Sequence, residues 1–119
     1  MDEAWKHLAR AVRLAPENHA CKYGLGQVYL KKKQYKKAVA ILSEALRLKE
    51  THLSRSSLAF AYLAQGKIEE AETTHLDGIK LKPGKSERYE SYAAFLSDVG
   101  REAESEKMNR KAKELRRIN

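Results

Sequence analysis

The chain has 119 residues, 42% of them hydrophobic and 34% charged, with 24 Lys/Arg against 16 Asp/Glu and a formal net charge of +8. That length supports one domain and not two with full cores, and aliphatic residues that recur along the whole chain exclude a disordered one. The single cysteine, Cys21, excludes an internal disulfide, no apolar run approaches the roughly 18 residues that cross a bilayer, and Asp2 and Glu3 after Met1 are unlike the basic start of a secretory leader. These features point to a cytoplasmic protein without a membrane span. The charge is segregated: residues 1–50 carry a net +6, residues 51–106 a net −3 and residues 107–119 a net +5.

In chain order, the stretch 2–18 reads as one helix, with Ala4, Ala11-Val12 and Leu14, closed by Pro16. Residues 19–51 follow as a helical pair. Leu25-Gly26-x-x-Tyr29 opens it, with Leu25, Val28 and Tyr29 on one helical face, and Ala38 and Ala45-Leu46 continue it. Residues 52–85 repeat the pattern as Leu58-Ala59-x-x-Tyr62, with Leu58, Ala61 and Tyr62 on one face, then Gly66, Ala71, Gly78-Ile79 and Pro83. Residues 86–119 repeat it again as Tyr92-Ala93-x-x-Leu96, Gly100, Ser105 and Ala112. Gly66 and Gly100 stand where a first helix ends and a left-handed residue is favoured. Small residues such as Gly26, Ala38 and Ala45 let helix backbones approach. The sum is seven helices of roughly 12–17 residues.

These in-register copies, about 34 residues apart, resemble the tetratricopeptide repeat. The resemblance covers a half repeat at 2–18 and full repeats at 19–51, 52–85 and 86–119, as a single array. The first full copy is one residue short, with Glu50 where proline is usual, and Lys22, Arg55 and Tyr89 replace the family's tryptophan at the fourth position. The resemblance implies an all-α, right-handed superhelical solenoid of antiparallel helix hairpins. It also implies a scaffold whose first helices line a concave groove that takes an extended peptide or a helix of another protein. The corresponding positions are Tyr23, Gln27, Leu30 and Lys31, then Ser56, Phe60, Leu63 and Ala64, then Glu87, Glu90, Ala94, Ser97 and Asp98. Phe60 is offset from the core face and is expected in the groove as an apolar anchor, or packed on Tyr23 or Gln27. Lys31 at one end and Glu87, Glu90 and Asp98 at the other predict a charge gradient that fixes ligand direction. The co-chaperone clamp for acidic carboxyl-terminal peptides is not among the expected functions. Its lysine, asparagine and arginine positions hold Tyr23, Gln27, Ser57, Glu87 and Ser91. A chain that opens and closes on a second helix suggests a segment of a longer array, or self-association through uncapped ends.

Catalytic chemistry has little support in these residues. His7, His19, His52 and His75 are scattered without ligand spacing. His75 occupies a packing position, and His19 and His52 are expected to face solvent near helix starts. Cys21 has no histidine placed to activate it, and Gly24-Leu25-Gly26 lies within a helix, where it cannot cradle a phosphate. No enzyme activity and no cofactor or metal are expected. The alternative to protein binding is RNA or another polyanion held by the basic ends. These are Lys31-Lys32-Lys33 with Lys36 and Lys37, and Arg110, Lys111, Lys113, Arg116 and Arg117. The carboxy-terminal cluster lacks interleaved aromatics for base stacking.

Overall fold

The computed structural model describes residues 2–118, and the side chains of residues 5–118. Met1, Asn119 and the side chains of Asp2, Glu3 and Ala4 lie outside the described residues. The chain is all-α, with seven helices and no strand among the described residues: α1 (Asp2–Leu14), α2 (His19–Lys31), α3 (Tyr35–Leu48), α4 (His52–Ala64), α5 (Ile68–Leu81), α6 (Ser86–Asp98) and α7 (Glu102–Ile118). Connections of a few residues bring α2 back on α1, α3 on α2, α4 on α3 and α7 on α6 as hairpins. None of these helices is long and apolar enough to cross a membrane.

Local chemistry sets the ends. Asn18 caps α2 by accepting a hydrogen bond from the Cys21 amide at 3.1 Å. Thr51 caps α4 in the same way through Ser54 at 3.1 Å. At the other end of α4, Gly66 has φ +77°, and the Lys67 amide donates back to the Tyr62 carbonyl at 2.9 Å. Gly100, with φ +83°, and the Arg101 amide donating to Leu96 at 2.8 Å repeat this closure after α6. After α2 the left-handed residue is Lys33, with φ 60°, and the Gln34 amide donates to Tyr29 at 2.9 Å. The hairpin thus needs a positive φ in every copy, and the first full copy supplies it without a glycine. Lys33→Gly should therefore raise stability by about 0.5–1 kcal/mol. The relief of the left-handed side-chain clash exceeds the added flexibility of the unfolded chain. Equilibrium urea unfolding checks it.

The molecule divides within α5 into two compact units, residues 1–71 and 72–119. In the first, α1 packs on α2, α2 on α3 and α3 on α4. Ala38, Leu42, Leu58 and Ala61 form its centre, and Tyr23, Tyr29, Leu30, Ile41 and Tyr62 pack around them. Tyr29 and Tyr62, expected in the core, are half-buried at its edge. A family tryptophan is replaced here by Lys22, whose aliphatic stem is buried while its ammonium reaches Glu44. Arg55 likewise bridges to Glu50 at 2.8 Å. His19 and His52, expected in solvent, are half-buried.

In the second unit α6 packs on α7. Tyr89, Tyr92, Ala93, Phe95, Leu96 and Ala112 are buried. His75 is buried as its position predicted, with its ring 5.4 Å from Phe95 and 6.0 Å from Tyr92. Buried Arg88 donates to the Gly78 carbonyl at 3.2 Å, and Ser105 to the Ala93 carbonyl at 2.7 Å. These bonds offset part of the penalty of burying the two polar side chains.

Candidate functional site

Helices α2 and α4 meet in the first unit, and each presents residues three or four apart to the same side. From α2 come Gln27, Leu30 and Lys31; from α4 come Ser56, Ser57 and Phe60. Together they line an open pocket of about 410 Å³. Phe60 is 54% exposed. An aromatic ring left that open on a core helix costs apolar hydration that a ligand contact would remove. Beside it, the Gln27 amide oxygen is buried and accepts no hydrogen bond from a protein group among the described residues. Lys31 is exposed at the rim. The pocket therefore offers an apolar wall, an unsatisfied acceptor and a cation.

The residues named from sequence divide into three sets. Gln27, Leu30, Lys31, Ser56 and Phe60 share this pocket. Tyr23 does not line it: its ring packs on the Ala38–Leu42–Leu58–Ala61 cluster. Leu63 is half-buried on α4 outside the lining, and Ala64 is exposed at its end. Glu87 and Glu90 belong to the second unit, where Glu87 is exposed with Ala94, Ser97 and Asp98, and Glu90 pairs with Arg116. Ser57, named only at a position of the co-chaperone clamp and not among the groove residues, also lines the pocket. Its neighbour Ser56 gave the signal, since a helix face about 100° wide takes in adjacent residues.

The basic stretch near Lys31 is partly committed. The Lys32 ammonium sits 5.0 Å from the Trp5 ring centroid and that of Lys37 5.9 Å from Tyr29. Cys21 is half-buried. Among the described residues, no three His, Cys, Asp or Glu side chains are grouped to hold a metal ion.

Comparison with known proteins adds to this geometry. The family model for anaphase-promoting complex, cyclosome, subunit 3 matches residues 1–77. The human protein O-mannosyl-transferase TMTC2 is 29% identical over 100 residues, which are 81% of this chain and 12% of that protein. The chain thus spans about one-eighth of that relative's length. The crystal structure of MamA superposes with a TM-score of 0.79 at 23% identity, over 98% of this chain and 69% of that one. The MamA structure designated MSR-1 C2 gives 0.73 at 24% identity, over 98% and 68%. That likeness shows the all-α, helical-repeat fold.

Proposed function

Since the chain belongs to the anaphase-promoting complex, cyclosome, subunit 3 family, as a tetratricopeptide-repeat protein, we propose that it binds another protein through the α2–α4 pocket and catalyses no reaction. The family description is that of a subunit of a larger complex, and subunits are held by protein surfaces. The observation that carries the reading is Phe60, exposed beside an unpartnered Gln27 oxygen in a pocket walled by two helices. An apolar side chain of an extended peptide or a helix would bury Phe60, and a donor beside it would reach Gln27 after a small turn of the amide. Lys31 would take a carboxylate at the ligand's acidic end.

The test is Phe60→Asp, which removes the anchor and puts a charge in its place. Because Phe60 is exposed, the helical circular-dichroism signal should be unchanged. Capture of protein partners should weaken about 30-fold, the equivalent of about 2 kcal/mol for a central anchor. A partner set bound equally by the variant rejects the pocket. Tyr23→Ala is the wrong probe, because that ring braces the core.

A further inference from the structure

We propose that a second surface, the pocket between α6 and α7, binds an extended acidic segment of a partner protein. This pocket, of about 440 Å³, is lined by Tyr89, Lys107, Met108, Arg110, Lys111 and Glu114. It lies within the second unit and shares no residue with the α2–α4 pocket. Its floor is apolar: Tyr89 is only 9% exposed and Met108 is half-buried. Its rim is cationic. Lys107, Arg110 and Lys111 are exposed and make no ion pair among the described residues. Nearby Arg101 and Arg116, by contrast, are paired with glutamates. Three exposed cations against the one carboxylate of Glu114 around an apolar floor attract an anion that carries an apolar group.

Spacing narrows the ligand. Lys107 and Lys111 are one helical turn apart, about 6 Å along the axis. An extended chain advances about 3.3 Å per residue, so its carboxylates at positions i and i+2 are about 6.6 Å apart. Two acidic residues at alternate positions therefore share one face and match the two lysines, and an apolar side chain two residues further along, on that same face, can meet the apolar floor. Glu114 at the far edge repels a longer run of negative charge, so the acidic stretch is short. The same features disfavour a nucleic acid. Tyr89 is too buried for a base to stack on it, and Glu114 opposes a continuous phosphate backbone.

The probe is a fluorescein-labelled eight-residue peptide with two acidic residues at alternate positions and a leucine two residues beyond the second, followed by anisotropy at about 0.15 M salt, where distant charges are screened. The full chain should bind it. Lys107→Glu with Lys111→Glu should weaken binding at least tenfold without altering the helical signal, and Glu114→Lys should strengthen it. Phe60→Asp should leave it unchanged, so failure at either pocket is read separately. Equal binding by the Lys107/Lys111 variant, or of a peptide with its acids changed to glutamine, overturns the proposal. So does loss of binding in Phe60→Asp. Tighter binding of an oligouridine that displaces the peptide replaces the proposal with a nucleic-acid site.

Discussion

Truncating Leu42 to alanine should lower the unfolding free energy by about 3–4 kcal/mol, and a methyl group placed at Gly26 should recover part of that loss. Leu42 is 0% exposed at the centre of the first unit, against Ala38, Leu58 and Ala61. Removing its branched end forfeits transfer free energy and leaves a cavity that helices α2, α3 and α4 can only partly collapse. Gly26 explains why they are so close. A Cβ there would lie 2.5 Å from Leu42 Cδ2 and 2.6 Å from its Cγ, with Ile41 Cγ2 at 3.3 Å. Contacts that short cannot be met without moving Leu42. Gly26→Ala alone should therefore cost about 1–3 kcal/mol in overpacking, reduced by up to about 1 kcal/mol because alanine favours the helix. With Leu42 already shortened, the same methyl enters vacated space. The double variant should be less destabilised than the sum of the singles by about 1–2 kcal/mol. Urea unfolding of the four proteins measures the cycle, provided their denaturant slopes agree. Additivity within about 0.5 kcal/mol would contradict so close an approach of α2 and α3.

Gly26 also shows what a one-dimensional reading reaches. That a small residue was needed there was legible from the repeat; that Leu42 is the reason depends on how two helices meet. Gly66 and Gly100 announced their left-handed turns, whereas Lys33 carries no such signal in its side chain. Only the one-residue shortening of its repeat aligns it with the two glycines. The buried charges were not legible. Lys22 and Glu44 are a full helix hairpin apart in sequence, and Arg88 sits one place before the position whose size the repeat pattern specifies. At the candidate site, the positions implied by the repeat resemblance include Gln27, Leu30 and Lys31, and Ser56 with Phe60, which line one pocket. The same positions include Tyr23, which turns into the core, and leave Ser57 to the clamp register alone. Both depend on the rotation of α2 and α4 about their axes, which a periodic pattern fixes only to within a residue. The α6–α7 pocket escaped for a related reason: its cations read as a solvated face until Tyr89 and Met108 were placed beneath them.

Replacing Tyr92 separates packing from polar chemistry in the second unit. Tyr92 is 8% exposed, with its ring 6.2 Å from Phe95 and 6.0 Å from His75. Its hydroxyl donates to Glu72 at 2.6 Å, and the same carboxylate receives Arg101 at 2.9 Å, which also holds Glu104. Tyr92→Ala should cost about 4 kcal/mol, the usual loss for a large buried ring. Tyr92→Phe keeps the ring and should cost only about 1 kcal/mol at neutral pH, because Arg101 still satisfies Glu72. The smaller loss should depend on pH in two windows. Hydrogen bonding from Arg101, and then from Tyr92, holds the Glu72 carboxyl below its ordinary value of 4.5 against the opposing effect of burial. Its stabilisation is therefore fully present above about pH 4.5 and is lost as pH falls through the lowered value. Burial, followed by the bond to Glu72, pushes the Tyr92 hydroxyl up to about 12. That stabilisation is present below the ordinary value of 10 and disappears as pH rises towards about 12. The wild-type and Tyr92→Phe unfolding curves should accordingly differ most between about pH 5 and 9 and converge at either extreme. The Tyr92→Ala deficit should persist at every pH, since a cavity does not titrate. A Tyr92→Phe deficit that stays constant from pH 3 to 11 would assign the hydroxyl no part in the Glu72–Arg101 network.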